Sequence, residues 1–334
     1  MMKTNKKDRI HKVLSGETPD RIPVSIWGHD FLREWSAKEL AAQTIEKQQQ
    51  YDYDFVKLNP RWAFFPELWG NQYEPPDEQR HPRLLHKIIE KADDFSAIEM
   101  LTNSHPVFEE HLQALEAVLA AIGEDVDVIY TLFSPLAVAG HLCGGTGEPL
   151  LTFAKQHPKL IHQALETIAK SLKLHVDDVL DKGASGLFFA SLQWTSTEIC
   201  DPAFYSEFGR PYDLAVLDSA KRASFNMLHI CGNQIQIDRF IDYPVQVLNW
   251  DSFGPGNPSL AHVHGHTDKV VAGGIPHREI HKLSLGEIKE VAEKSVAGIK
   301  DRVMLTGGCA VGALLDPERR RYVRDIAENI LMNS

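Results

Sequence analysis

Short runs rich in β-branched and apolar residues recur along this chain, separated by longer helical patterns, and that alternation restricts the fold more than any other feature. The runs lie at 22–27, 55–58, 126–132, 186–190, 224–229, 245–250, 269–272 and 302–306. Strands joined through helices pair in parallel, because a parallel connection has to cross back over the sheet. Eight such units predict a closed (β/α)8 TIM barrel of the α/β class. A chain of 334 residues is long for one domain of another kind and suits one barrel, so residues 1–334 are read as a single domain.

The intervening helices carry their own punctuation. Leu165, Ile168, Leu172, Val176 and Val179 form an apolar stripe at helical spacing that stops at Gly183. Asp201-Pro202, Asn257-Pro258 and Asp316-Pro317 each set a capping side chain before a proline suited to a first helical turn, and Ser284 with Glu287 reads as a capping box. Each of these starts follows a strand by a few residues, as a βα unit requires. Residues 60–105 break the alternation: Trp62, Phe64, Phe65, Trp69, Tyr73, Pro75 and Pro76 show no period and predict a long aromatic insertion after the second strand. Such a segment either packs against the barrel rim or covers the site.

A formal charge of −11 repels nucleic acid and anionic membrane surfaces, which leaves a small molecule or a protein as the expected partner. No apolar run has the length of a signal peptide or a membrane span. Four scattered cysteines do not form a disulfide framework, so a cytoplasmic setting is expected and the thiols are open to metal binding.

The fifth run leads into Leu228-His229-Ile230-Cys231-Gly232-Asn233. Residues two apart in a strand project to one side, so His229 and Cys231 point together, and Gly232 lets the chain turn sharply behind them. The eighth run leads into Gly307-Gly308-Cys309, which a closed barrel sets on the same C-terminal rim. One imidazole and two thiolates suit zinc, and three protein ligands leave a position for substrate. The two thiolates offset the charge of the ion, which favours holding a substrate thiol as thiolate over activating water. Cys143 and Cys200 are read as structural. His29, Asn59 and Asp251 stand at strand ends where barrels contact substrate, although short polar residues there also serve as turn and cap residues. His262, His264 and His266 are read as solvated histidines on a loop.

These residues resemble the uroporphyrinogen decarboxylase-like superfamily over nearly the whole chain. The resemblance begins with residues 9–17 (RIHKVLSGE) and 19–24 (PDRIPV) and continues through Gly140 and the His229–Cys231 segment to Gly307-Gly308-Cys309. It implies the (β/α)8 barrel. The methyltransferase branch of that superfamily carries a His-x-Cys and a distant Cys as zinc ligands, matched here by His229, Cys231 and Cys309. It implies a thiol acceptor and a methyl group carried by a methylcorrinoid or similar donor, presented by a corrinoid protein or as a free cofactor. The decarboxylase branch uses an arginine-rich loop after the first strand and an aspartate after the second. Here residues 27–32 (WGHDFL) carry no arginine, and Leu58-Asn59-Pro60 carries no acid. A carboxamide cannot stabilise a developing pyrrole cation as a carboxylate does. Three readings therefore stand: a zinc-dependent methyltransferase, a metal-free lyase of the decarboxylase type, and a non-catalytic protein that binds a thiol or a corrinoid. A homodimer is open.

Overall fold

A computed structural model describes residues 5–328 and Ile330. Its main sheet has eight strands: β1 (Val24–Ser25), β2 (Phe55–Leu58), β3 (Asp127–Phe133), β4 (Gly186–Ala190), β5 (Met227–Ile230), β6 (Val247–Trp250), β7 (Val270–Ile275) and β8 (Val303–Gly307). Every pair in the order β1-β8-β7-β6-β5-β4-β3-β2 is parallel. β1 and β2 complete the ring through isolated contacts. The Asp54 N–H donates to the Val24 carbonyl (2.9 Å) and the Ser25 hydroxyl to the Phe55 carbonyl (2.8 Å). The architecture is the (β/α)8 barrel expected from the alternation.

Strand parity divides the interior into two cores. Phe55, Ile129, Phe188, Met227, Val247, Val270 and Met304 point into the lumen, where Ile10 and Val13 of the helix Lys6–Leu14 join the same cluster. Val56, Leu58, Val128, Leu187, Phe189, Leu228, Leu248, Val271 and Leu305 belong to the outer core, against the helices. The helix Pro158–Asp181 buries Ile161, Leu165, Ile168, Leu172, Val176 and Val179, and Gly183 follows it with φ +105°. Each fully buried Leu, Ile or Phe contributes roughly 1.5–3 kcal/mol, so the outer core carries most of the fold's cohesion.

Three of the four capping signals act as expected. Asp201 accepts from the Phe204 N–H, Asp316 from the Glu318 N–H, and Ser284 and Glu287 form a reciprocal box. The fourth differs: the helix Leu260–His264 is capped by Ser259, and Asn257 is engaged elsewhere. Residues 60–105 fold as a short helix (Phe64–Glu67), an antiparallel hairpin (Gln72–Glu74 with Arg83–His86) and a 3-10 turn (Ala92–Ala97). Phe64 and Phe65 are fully buried in the outer core, whereas Trp62 packs against Tyr73, His81 and His141. Most of the aromatic signal is thus packing. Among the described residues no helix is long and apolar enough to cross a membrane.

Candidate metal centre

Two residues beyond the apolar floor of the lumen, the same parity brings polar side chains inward: Lys57 on β2, Thr131 on β3, His229 on β5, Asn249 on β6 and Thr306 on β8. His229 and Asn249 lie opposite each other in the register of β5 and β6. The Asn249 amide nitrogen donates to the Ala272 carbonyl, the Thr306 hydroxyl and the Gly307 carbonyl, each at 3.1 Å. Its amide oxygen therefore faces His229, 2.7 Å from Nδ1. That contact requires a proton on Nδ1 and leaves the Nε2 lone pair free as a ligand.

His229, Cys231 and Cys309 offer ligand atoms that all lie within 4.8 Å of one another. Tetrahedral zinc with bonds of about 2.0–2.3 Å spaces its ligands at roughly 3.5–3.8 Å, so the donor set fits that ion in kind and in span. Among the described residues this is the only such group. Cys309 is held well below the ordinary thiol value by a hydrogen bond from Cys231, with help from His229, while that hydrogen bond and burial raise Cys231.

The backbone around the ligands is tightly specified. Gly232 has φ +105°, and a Cβ there would meet the Ser196 Cβ at 2.8 Å, so only glycine turns the chain at this point. Thr195 donates from its hydroxyl to the Cys231 carbonyl at 2.6 Å. A Cβ on Gly308 would meet the Asp251 Cα at 2.4 Å, so the end of β8 crosses against the end of β6. Asn257 donates to the carbonyls of Gly232 (2.9 Å) and Asp251 (2.8 Å) and accepts from the Ile235 N–H (3.1 Å). This bracket between two loops is why Asn257 does not cap a helix.

The other residues singled out in the sequence fall in different places. Asp251, buried, faces His277 Nδ1 at 3.9 Å and Arg278 Nε at 3.5 Å beside the centre. Burial lowers His277, against the pull of Cys309 and Asp251. Asn59 accepts from Lys57, whose ammonium lies 4.4 Å from the Phe188 ring centroid. Burial pushes Lys57 down to about 7, offset in part by Cys309. His29 sits on the rim, 2.7 Å from the buried Glu34 carboxylate and stacked on Phe31, and makes no hydrogen bond or ring contact to the three ligands. His264 pairs with Asp301, and His266 with the His262 carbonyl; they do not converge on a ligand. Cys143 and Cys200 are buried, with thiols pushed up to about 12 and about 11, as structural cysteines require.

Sequence reasoning missed Asn249, Lys57, His277 and Thr195. The first two had a signal, a lone amide in Val247-Leu248-Asn249-Trp250 and a lone cation in Phe55-Val56-Lys57-Leu58, each at lumen parity. The other two reach the centre from loops and had none.

A methylcobamide:CoM methyltransferase MtbA from Methanosarcina mazei is 21% identical, and the alignment covers 97% of each chain. A solved methyltransferase from Methanosarcina mazei superposes with a TM-score of 0.81 at 18% identity, covering 96% of this chain and 98% of that one. A B12-independent methionine synthase from Shewanella sp. W3-18-1 follows at a TM-score of 0.61 and 11% identity, covering 94% and 95%. These likenesses establish a shared barrel. The family model described as uroporphyrinogen decarboxylase (URO-D) matches residues 5–330, and the chain belongs to that family.

Proposed function

We propose that the protein is a zinc-dependent methyltransferase of the uroporphyrinogen decarboxylase-like superfamily, with His229, Cys231 and Cys309 as ligands, a small-molecule thiol as acceptor and a methylcorrinoid, free or carried by a corrinoid protein, as donor. The observation that carries this reading is the convergence of one imidazole and two thiols on one point, with Asn249 fixing the tautomer that exposes Nε2. The full-length similarity to a methylcobamide:CoM methyltransferase supports the choice of reaction.

Held by His229, Cys231 and Cys309, a zinc ion would supply the Lewis acidity that lowers the pKa of an acceptor thiol towards neutrality. The chain's own groups do the rest. Asn249 holds His229 in place, Thr195 and Gly232 hold Cys231, and Gly308 brings Cys309 beside Asp251. Asp251, Asn59 and the Lys57 ammonium are the groups we assign to substrate contact, with His29 further out on the rim. In this reading residues 1–334 act as one catalytic domain.

Metal content and X-ray absorption test the assignment. We expect one zinc per chain with two sulfur neighbours at about 2.3 Å, lost in the Cys231→Ser, Cys309→Ser double variant together with methyl transfer from methylcobalamin to a thiol. Protein supplied with zinc that binds none, or transfer that survives loss of both cysteines, would overturn it. Turnover of uroporphyrinogen by the double variant would favour the lyase instead.

A further inference from the structure

The join between β1 and β2 leaves a cavity of about 50 Å³ that runs from Trp27, Lys57 and Asn59 to the inner side of the helix Ala37–Tyr51. Its walls include Gln43, Lys47, Gln48 and Arg320. The wall is polar for a structural reason: above the Ser25–Phe55 contact no ladder bonds join the two strands, so side chains of the adjoining helices fill the gap.

Those side chains are left without partners in a consistent way. Lys47 makes no hydrogen bond or ion pair among the described residues. Arg320 is buried and spends Nε and one terminal nitrogen on the carbonyls of Leu315 (3.2 Å) and Gly312 (2.9 Å), with no carboxylate in salt-bridge range among the described residues. The nearby acids are committed elsewhere. Glu34 holds His29 and the Trp62 N–H, and Asp30 accepts from Gln79. The amide oxygens of Gln43 and Gln48 are buried and unpartnered, because their nitrogens already donate to the Thr44 hydroxyl and the Tyr53 carbonyl.

Lys47 and Arg320, facing one cavity that Lys57 also lines, with no carboxylate in salt-bridge range of either, are costly to bury. Lys47 registers that cost: burial, reinforced by Arg320 and only partly offset by the more distant Asp30 and Glu34, pushes it down to about 8. A bare anion would answer the cations and leave the glutamine oxygens idle, whereas a neutral donor would do the reverse. The cavity has room for about three to five waters at about 10–15 Å³ each, which is the scale of a five-atom oxyanion.

We propose that this slot binds a small oxyanion that carries its own O–H, such as hydrogen phosphate or a short hydroxy acid, with Lys47 and Arg320 on the charge and Gln43 and Gln48 accepting from the hydroxyl. The slot shares Lys57 and Asn59 with the groups assigned above to substrate contact, but it includes none of the three metal-ligand candidates and does not depend on their assignment.

Calorimetric titration of the full chain with phosphate, glycolate and sulfate at constant ionic strength tests it. Saturable one-to-one binding of phosphate or glycolate is expected, and which of the two binds more tightly distinguishes a phosphate source from a carboxylate source. Sulfate, which brings no O–H at neutral pH, should bind at least tenfold more weakly. Lys47→Met should weaken phosphate binding at least tenfold and Lys47→Arg should preserve it. Gln43→Met should weaken it about threefold, and serves if Lys47→Met does not fold. The Cys231→Ser, Cys309→Ser variant should bind phosphate like the wild type. Absence of saturable binding, or unchanged binding in both Lys47→Met and Gln43→Met, overturns the proposal. Sulfate binding equal to phosphate overturns the role of the glutamines, and loss of binding in the cysteine variant assigns the anion to the metal centre and overturns a separate site.

Discussion

At the N-terminal end of the barrel, Asp54 is fully buried and accepts from Arg9 (2.8 Å), twice from Arg21 (2.6 and 2.8 Å) and from the Val24 N–H (2.8 Å). At the C-terminal end, the buried His229 comes together with Cys231 and Cys309, its Nε2 left free by the Asn249 contact at Nδ1. The first cluster closes on itself, and its worth is stability. The second is held rigidly by groups that satisfy everything except the ligand atoms, as Asn249 does for His229. Burying polar groups near each other therefore does not by itself mark a site; what marks it is a shell of satisfied partners around a centre that is not satisfied.

Substitutions at the two ends should separate these roles. Asp54→Asn removes the buried carboxylate that Arg9 and Arg21 share, leaving them the more exposed Asp20 and Glu328, and should lower unfolding stability by about 3 kcal/mol while zinc stoichiometry is kept. Denaturant titration with metal analysis reads both, and a loss of zinc in the folded variant would break the contrast. Asn249→Leu removes the acceptor that orients His229 and should weaken zinc binding about 10–100-fold in chelator competition. Unchanged affinity would show that the ring is held by packing alone.

A third region, at neither end, calibrates the comparison. Asp213 is buried under the hydroxyls of Tyr205 (2.5 Å) and Tyr243 (3.1 Å), and burial raises its carboxyl to about 7. Because the folded state holds this proton more tightly than the unfolded chain, the group's contribution is fully present below about pH 4 and is lost as pH rises through about 7. Stability should decline over that window with a slope of at most about 1.4 kcal/mol per pH unit from this group. Asp213→Asn should flatten it, and an unchanged slope would place the titration elsewhere.

The barrel was legible because strand parity and helix punctuation are local properties. All eight runs became strands, and the errors lie at their ends. The seventh apolar run ends at Ala272, yet β7 continues to Ile275, because Gly273 and Gly274 weaken the apolar signal. Gly273 is there for a close approach, since a Cβ would meet the Trp250 carbonyl at 3.1 Å. The first run was read over six residues, but only Val24 and Ser25 form ladder bonds, since β1 meets β2 through isolated contacts. The three ligand candidates are legible because His229 and Cys231 stand two residues apart at the end of β5 and Cys309 follows the end of β8. Their supports were less so: Asn249 was readable as a lone amide, whereas Thr195 and the slot beside Lys47 depend on loop crossings and on a missing ladder that no local pattern encodes.

The Asn257 bracket ties the loop after β5 to the loop after β6 with one side chain. For anyone redesigning the mouth of this barrel, the two loops are then a single editable part. An insertion in either one alone pulls Asn257 off the Gly232 or the Asp251 carbonyl and shifts the Cys231 segment with it, so new loop pairs have to be grafted together, with the asparagine and both of its carbonyl partners in the graft.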